Sequence, residues 1–227
     1  MPGTNPVILI LGAGPQIGAS VARHFASKGF KVGLAARSVK ESESTDSQLN
    51  IPSDFSKSDD VVNAFSKIRE KFGIPSVVLY NVSAVTFGHK EDPFGMSLDD
   101  LKKTNAINVT SAFVAAQQAT QGFKELPESA ARTFIVTGNI LNTVILPGFM
   151  DQGMGKSASA HMIWAASDAY KEKGFKYYYA DERKEDGSAK YRVDGDAHAE
   201  LFWQLAQDKK QGPWMQTFVK GKGYVKF

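Results

Sequence analysis

Short apolar runs alternate with longer segments of helical periodicity along most of this chain. The run over residues 7–11 is apolar at every position, whereas residues 59–72 carry apolar side chains three and four positions apart. A run that is apolar throughout is typical of a parallel strand buried on both faces, and the wider spacing is typical of a helix with one buried face. The alternation therefore predicts a parallel sheet with helices packed on both sides.

The pattern predicts about seven strands and the helices between them. Strands are expected over 7–11, 32–36, 50–54, 77–80, 134–137, 175–179 and 216–220, and helices over 19–25, 59–72, 97–122, 157–172 and 196–209. Ser58 is expected to cap the second helix. The serine-rich segment 38–48 lacks an apolar period and is predicted to be a loop. Because no linker or repeat interrupts the alternation, we expect a single doubly wound, Rossmann-like α/β domain over 1–227.

A glycine-rich turn joins the first predicted strand to the first predicted helix. Glycines at positions 12, 14 and 18 allow the backbone to turn sharply and to approach a pyrophosphate, with the helix N-terminus aimed at the phosphates. The residues expected to contact a dinucleotide here are Gly12, Gly14, Gln16, Ile17 and Gly18. The alternative is an ordinary glycine turn, but its place between strand and helix favours nucleotide binding.

Composition narrows the range of possible functions. The chain has 227 residues, a net charge of +3 and no cysteine, which excludes disulfides, a thiolate nucleophile and a cysteine–zinc site. The four histidines show no metal-ligand spacing, so no metal is expected. The small, dispersed charge does not indicate a nucleic-acid partner. No signal peptide or membrane span is recognised, and we expect a cytoplasmic protein that acts on a small molecule.

The order of these elements resembles the short-chain dehydrogenase/reductase superfamily over nearly the whole chain. The family pattern Gly-x-x-x-Gly-x-Gly is matched by Gly12 and Gly18, with Gln16 where the middle glycine stands and Gly14 as an extra glycine. The resemblance implies a nicotinamide dinucleotide as cofactor. It also implies pairing of two copies through the helices about 100–121 and 157–172. The apolar positions Met162, Ile163 and Ala166 on the second of these are expected at the contact, so a homo-oligomer is expected.

Arg37 and Ser38 follow the second predicted strand, where an acidic residue would bind the ribose of NAD. An arginine there suits the 2′-phosphate of NADP through charge-assisted hydrogen bonds, although an ordinary surface arginine is the alternative. The resemblance further places Asp54 near the adenine and matches Asn81 to a family asparagine. NADP is therefore the expected cofactor.

The resemblance also implies catalytic positions. Asn108, in the segment 104–110, matches an asparagine that holds a water in the proton relay, and Lys156 matches the lysine that binds the nicotinamide ribose. Gln152 stands where the family has its tyrosine, and Asn139 where it has its serine. The chain therefore resembles a divergent, fungal type of member without the catalytic serine and tyrosine. Asn139 can donate a hydrogen bond to a carbonyl, whereas Gln152 can polarise one but cannot deliver a proton.

Other side chains near these positions could replace the missing proton donor or form the pocket. The tyrosines at 177–179 are expected to pack against helices, with Tyr178 on the opposite face from its neighbours. Asp181 and Glu182 are expected in a loop over 181–195, solvated or paired with Arg183. Weaker candidates are Asp151 and His161, while Phe149 and Met150 are expected in a pocket wall. The aromatics Trp164, Trp203 and Trp214 are expected mainly in the core.

Three functions remain open at this point. The first is an NADP(H)-dependent oxidoreductase of small or medium carbonyls or alcohols, with an unusual proton donor. The second is a protein that binds NADP(H) without redox activity, which the glutamine at position 152 favours. The third is a non-redox enzyme, such as an isomerase or dehydratase, that reuses the pocket, because a fold alone does not determine function.

Overall fold

Eight strands form one sheet in the computed structural model, which describes residues 5–88 and 90–227. The strands are β1 (Val7–Leu11), β2 (Lys31–Ala36), β3 (Gln48–Pro52), β4 (Val77–Tyr80), β5 (Thr133–Thr137), β6 (Lys176–Glu182), β7 (Met215–Val219) and β8 (Gly223–Tyr224). The helices in this part of the chain are α1 (Ile17–Ser27), α2 (Ser58–Phe72), α3 (Leu98–Asn105), α4 (Ser111–Glu125), α5 (Met150–Tyr170) and α6 (Gly195–Gln207). A π-helical segment, Ala106–Thr110, joins α3 to α4.

The strand order is β3-β2-β1-β4-β5-β6-β7-β8, and every pair is parallel except β7 with β8. The predicted doubly wound parallel sheet is thus confirmed, but the expected count of about seven strands is wrong. The eighth strand has only two residues and pairs antiparallel with β7. A pair this short carries no period in the sequence, so the pattern could not show it.

The sheet separates two apolar cores. One lies against α2, α4 and α5, and the other against α1 and α6. The alternation along β6 distributes its aromatic side chains between them: Tyr177 and Tyr179 belong to the first core, and Tyr178 belongs to the second. All three are fully buried, so the predicted packing against helices and the opposite orientation of Tyr178 are confirmed.

Several predicted boundaries are corrected. Helix α5 begins at Met150, about two turns before position 157. Glycines at 153 and 155 lower the helical propensity of this first part and hide it from pattern analysis. Strand β6 extends through Glu182, so Asp181 and Glu182 lie in a buried strand and not in a solvated loop. Ser58 is the first residue of α2, and the capping position belongs to Lys57.

One expectation about the surface also changes. Trp164 is 54% exposed and stacks on Trp214, with ring centroids 5.7 Å apart, so it is not a core residue.

Across residues 5–88 and 90–227, no helix combines the length and apolar character needed to cross a membrane. The same residues contain no group of acidic or histidine side chains that could hold a metal, and His89 falls outside them.

Candidate active site

A cleft opens at the carboxyl ends of the central strands. It lies where the chain order reverses, since β1 is flanked by β2 on one side and β4 on the other. This is the position where open parallel sheets bind ligands. The cleft has a volume of about 320 Å³, and its wall includes Ile17, Asn81, Gln152, Lys156 and Asp181. The structure therefore brings together residues that are far apart in the sequence.

The glycine turn is tight enough to require glycine at two positions. Gly12 has a φ of +91°, and a Cβ there would lie 2.8 Å from the backbone nitrogen of Val82. A Cβ on Gly18 would lie 2.8 Å from the Cα of Ala13. Gly14 differs, because a Cβ there would meet nothing within 4 Å. Gly12 and Gly18 thus serve the turn itself, while Gly14 borders open space.

The turn leads into a helix whose start no side chain caps. Gln16 precedes α1 and makes no capping hydrogen bond with its side chain, and the first turn contains no acidic residue. The first backbone N–H groups of a helix need partners from outside it, and with the positive end of the helix dipole they attract anions. Asn81 supports the turn from β4, since its Nδ2 donates to the carbonyl oxygen of Gly12 at 2.9 Å. This arrangement fits a phosphate-bearing ligand.

Arg37 and Ser38 lie exposed in the turn after β2, and Asp54 lies just beyond β3 on the adjacent strand. Hydrogen bonds from Ser56 hold the pKa of Asp54 below its ordinary value, and the charge of Arg37 adds a smaller effect in the same direction. Arg37 makes no ion pair or hydrogen bond with its side chain among the residues described. The structure therefore brings Arg37 and Asp54 near each other, with the guanidinium available to a ligand.

Asn108 lies in the π-helical segment and is buried. Its Oδ1 accepts from the backbone nitrogen of Ala84, and its Nδ2 donates to the carbonyl oxygen of the same residue, both at 2.8 Å. The amide therefore holds the loop after β4 and keeps one N–H for another acceptor. Single π-helical turns frequently occur at functional sites. Gly155 of α5 packs directly against Asn108, since a Cβ at 155 would lie 2.5 Å from its Cβ.

Gln152 and Asn139 both face the cleft. Gln152 donates from Nε2 to the hydroxyl of Ser83 at 2.8 Å. Asn139 accepts from the backbone nitrogen of Leu141 through Oδ1, which leaves its amide N–H groups to donate. Its backbone is held by Tyr179, whose hydroxyl donates to the Asn139 carbonyl at 2.8 Å and accepts from its nitrogen at 3.1 Å. Neither amide can change its protonation state at neutral pH.

Lys156 is buried at the cleft wall, one helical turn after Gln152. Its Nζ donates to the carbonyl oxygen of Thr137 at 2.7 Å. Burial lowers the pKa of Lys156 to about 8, against the opposing charge of Asp181. A lysine in this range can hold and release a proton near neutral pH.

Asp181 and Arg183 form an ion pair at the end of β6, where the sequence also allowed a solvated cluster. Asp181 is 2% exposed, and its Oδ2 accepts from Nε of Arg183 at 2.5 Å. Burial raises the pKa of Asp181 to about 6, against the opposing charges of Arg183 and Lys156. Sequence reasoning underrated this residue. The available signal was that an acidic residue directly follows an apolar strand whose end faces a ligand cleft.

Glu182, the next residue, faces the other side of the sheet. Its Oε2 accepts from the backbone nitrogen of Asp194 and lies 3.6 Å from Nδ1 of His198, while its Oε1 is buried without a partner among the residues described. Burial raises the pKa of Glu182. Burial lowers the pKa of His198 to about 4, because the charged imidazolium would lose its hydration. The sequence did not single out His198.

The remaining candidate residues differ in their burial and in their position relative to the cleft. Asp151 is buried and accepts from the backbone nitrogens of Thr86 and Gln152, so it organises the start of α5. His161 is exposed. Phe149 lines the cleft and packs edge to face on Phe87 at 5.2 Å, as expected for a pocket wall. Met150 does not line the described cleft.

This chain is similar in sequence to a known family and to individual members of it. The family model described as short chain dehydrogenase matches residues 6–177. The short chain dehydrogenase/reductase dmxR12 of Cryptosporiopsis sp. (strain 8999) is 47% identical over 236 residues, covering 99% of this chain and 96% of that protein. Versicolorin reductase stcU of Emericella nidulans is 29% identical over 128 residues, covering 52% of this chain and 47% of that protein.

Solved structures show the same fold at low sequence identity. A metagenomic short-chain oxidoreductase in complex with NADP superposes with a TM-score of 0.80 at 16% identity, covering 94% of this chain and 96% of that one. An alcohol dehydrogenase from the archaeon Thermococcus sibiricus, complexed with 5-hydroxy-NADP, gives 0.77 at 17% identity, covering 98% and 99%. The sheet and its helices are thus shared along almost the whole chain.

Proposed function

Since this chain belongs to the short-chain dehydrogenase family, we propose that it is an NADP(H)-dependent oxidoreductase with an atypical active site, acting on a small or medium-sized carbonyl or alcohol. The observation that carries the proposal is the shared cleft. Ile17, at the start of α1 where no side chain caps the helix, and the buried Lys156 line the same cavity. A phosphate-binding helix end and an ionisable group beside it are what a dinucleotide-dependent reaction needs.

The residues of the cleft fit the proposed cofactor. Gly12 and Gly18 form a turn that a Cβ would fill, and Gly14 leaves open space beside it. Arg37 and Asp54 flank the ends of β2 and β3, which suits the adenosine half, while Lys156 lies on the β5–β6 side, which suits the nicotinamide half. When bound, the cofactor supplies or accepts the hydride. Arg37, exposed and free of ion pairs among the described residues, favours NADP over NAD.

The site is atypical in this proposal because amides occupy the positions of the hydroxyl-bearing residues. Asn139 has amide N–H groups to donate to a substrate carbonyl, which supports a role in place of serine. Gln152 is one turn from Lys156 and bonded to Ser83, which supports a role in polarising or orienting the substrate. Asn108 and Lys156 complete the set of residues assigned to catalysis.

One observation favours a second candidate, a protein that binds NADP(H) without redox chemistry. Gln152 has no titratable proton, and its amide is already engaged by Ser83. Without a proton donor, a nascent alkoxide would not be neutralised. A non-redox enzyme that reuses the cleft stays the third alternative.

Nicotinamide fluorescence with added NADPH and NADH, followed by turnover on a panel of aldehydes and ketones, tests the proposal. We expect NADPH to bind more tightly than NADH. Arg37→Ala should reduce that preference by ~1–3 kcal/mol, the range for hydrogen bonds to charged groups, whereas Arg69→Ala, distant on α2, should leave it unchanged. Binding without turnover supports the second candidate, and equal affinity for both cofactors contradicts the assignment to NADP.

Self-association is part of the proposal, with one change of residues. Ile163, expected at the contact, is fully buried, and Met162 and Ala166 pack partly against the core. The large apolar side chains exposed on α4 and α5 are instead Phe113, Met154 and Trp164. They support a homo-oligomer, which light scattering at micromolar concentration tests against the 24.7 kDa monomer. The cytoplasmic location stays a prediction from the sequence.

A further inference from the structure

The proposed function requires a proton donor, and few groups in the cleft qualify. The ionisable side chains that line it are Lys156, Asp181, Glu182, Lys190 and Tyr191. Tyr191 is 76% exposed, and Lys190 beside it on the loop after β6 is only half-buried, whereas Lys156 and Asp181 are buried. Glu182 is turned toward Asp194 and His198 on the other side of the sheet. Lys156 and Asp181 are therefore the ionisable groups in the inner wall.

The nearby tyrosines and Asp151 are already engaged. The hydroxyl of Tyr179 both donates to and accepts from the backbone of Asn139, and the hydroxyl of Tyr177 is bonded to Thr120 inside the core. Burial raises the pKa of both phenols. The hydroxyl of Tyr178 accepts from Gly212 on the opposite face of the sheet. Asp151 uses one carboxylate oxygen for each of two backbone nitrogens.

Lys156 and Asp181 are brought together by strand register. Thr137, whose carbonyl accepts from Nζ of Lys156, is paired with Ala180 on the adjacent strand. Asp181 is the next residue along that strand. Its direct ion pair is with Arg183, and it acts on Lys156 through its charge without a direct contact. The lysine thus has one neutral hydrogen-bond partner and one carboxylate close by.

These surroundings set the charge of the lysine. Burial disfavours its ammonium form and lowers the pKa to about 8, while the Asp181 carboxylate opposes that shift. The other charged groups that act on Asp181 are Glu182 on β6 and Arg183 directly after that strand. Tyr179 on β6 lies close to Asp181, and Lys190 lines the same cleft from the loop after β6. At neutral pH the lysine is therefore mostly protonated, yet it releases a proton more readily than an exposed lysine does.

We infer that Lys156 itself donates the proton to the carbonyl oxygen of the substrate, and that Asp181 is a positioning residue that keeps Lys156 charged. In the reduction, a bound NADPH would supply the hydride by breaking a C–H bond of its ring and would be oxidised to NADP+. The substrate carbon would gain the new C–H bond, and the carbonyl π pair would move to oxygen. That oxygen takes a proton from Nζ, which is left as a neutral amine and regains a proton from water. Asp181 stays a carboxylate throughout.

This inference rests on the proposed function, so its test needs a readout that does not depend on turnover. Lysine labelled with ¹³C and ¹⁵N, followed by NMR across pH in the full chain, reports each titration directly. Lys156→Arg and Lys176→Arg assign the two low-pKa signals. Lys176 is an internal control, because burial also lowers its pKa to about 8 but its side chain donates to Leu205, Ala206 and Asp208 at the end of α6.

We expect Asp181→Asn to lower the titration of Lys156 by roughly one pH unit, as loss of a nearby opposite charge predicts. The Lys176 signal should not move, and Asp181→Glu should restore the Lys156 signal. The inference is overturned if Lys156 titrates near the ordinary 10.5 in the unmodified protein. It is also overturned if the pKa of Lys156 is the same in Asp181→Asn as in the unmodified protein. If Asp181→Asn does not fold, the Lys156 titrations of the unmodified protein and of Asp181→Glu test the inference instead, and both should lie well below the ordinary 10.5.

Kinetics separate this inference from the proposed function. If carbonyl reduction occurs, the basic limb of kcat/KM against pH should follow the Lys156 titration and shift with it in Asp181→Asn. If carbonyl reduction occurs but the basic limb of its pH profile does not shift in Asp181→Asn, the donor role of Lys156 is overturned, whereas the assignment as an oxidoreductase stands. NADPH binding with no reduction of any carbonyl contradicts the proposed function, and the donor role with it, whatever the NMR result.

Discussion

Gly155 and Asn108 lie in direct contact, which holds α5 against the π-helical segment. A Cβ at position 155 would lie 2.5 Å from the Cβ of Asn108, a separation that real side chains do not reach. Asn108 in turn binds both backbone polar groups of Ala84. The glycine therefore sets the distance between the helix that bears Gln152 and Lys156 and the loop that bears Ser83.

Gly155→Ala should destabilise the protein although alanine is the better helix former. Alanine gains about 1 kcal/mol over glycine in a helix interior, but here it displaces Asn108 and costs of order 1–3 kcal/mol through overpacking. Gly153→Ala is the matched control, because its Cβ would meet Leu141 at an ordinary 3.7 Å, and it should stabilise the fold. Urea unfolding measures both. Equal gains in stability would show that Asn108 moves freely.

Gly14→Val tests the path of the cofactor without disturbing the fold. Because a Cβ at position 14 meets no protein atom within 4 Å, the variant should unfold at nearly the same urea concentration as the unmodified protein. Its affinity for NADPH should fall at least tenfold, since the side chain enters the space beside the phosphate-binding turn. Undiminished affinity would place the dinucleotide elsewhere. Gly18→Val, by contrast, should lose both affinity and stability, because it meets the backbone of Ala13.

Gln152→Tyr should raise NADPH-dependent carbonyl reduction, because it adds a phenol one helical turn from Lys156. Proton donation as a whole contributes ~10²–10⁴-fold to rate, so with Lys156 already acting as the inferred donor the gain should stay below that range. Adding Asn139→Ser should raise it further by supplying a hydroxyl to the carbonyl. Gln152→Phe has the same ring without the hydroxyl and serves as the control. A lower rate in Gln152→Tyr than in the unmodified protein would show that the amide is itself needed, as in a rebuilt site.

Lys156→Ala should weaken NADPH binding in both the unmodified and the Gln152→Tyr backgrounds. The lysine is the cationic group in the inner wall of the cleft, where the nicotinamide ribose is expected. Isothermal titration gives the affinities. The substitution should not alter the contacts to the adenosine half of the cofactor, so the preference for NADPH over NADH should persist. Loss of that preference would indicate that Lys156, and not Arg37, recognises the 2′-phosphate.

His198 should make the protein less stable in acid. Its pKa is about 4 in the fold against an ordinary 6.5, so below pH 6.5 the unfolded chain takes up a proton that the folded protein does not. Its contribution is therefore present above pH 6.5 and is lost as the pH falls toward 4, by up to ~3 kcal/mol. Asp181 opposes this, since its raised pKa stabilises the fold as the pH falls from 6 to 3.8.

His198→Asn removes this dependence and retains an N–H near Nδ1, which donates to the carbonyl of Asp194. The free energy of unfolding, measured by urea at pH 7, 6, 5 and 4, should therefore fall less steeply in the variant. Identical slopes for the two proteins would mean that the imidazole becomes solvated in the folded state.

Local pattern was enough for the seven longer strands, the glycine turn and most of the core. Uniformly apolar strands are buried on both faces wherever they lie, so residues 7–11 and 77–80 were read correctly from their own composition. Gly12 and Gly18 were likewise recognisable, because a strand–turn–helix junction needs a positive φ and a close approach that only glycine tolerates. The family resemblance, counted back from Lys156, drew attention to Gln152 and Asn139, and the structure has both in the cleft wall.

Tertiary structure alone decided the charges at the end of β6. Asp181, Glu182 and Arg183 form a run of charged residues that by sequence suits a solvated loop, yet pairing with β7 extends the strand and buries them. Burial then raises the pKa of Asp181 and lowers that of Lys156, which lies 25 positions earlier in the chain. Such pKa shifts depend on which charged groups lie close together where water is excluded. That depends on strand register and helix packing, and no local pattern of residues encodes it.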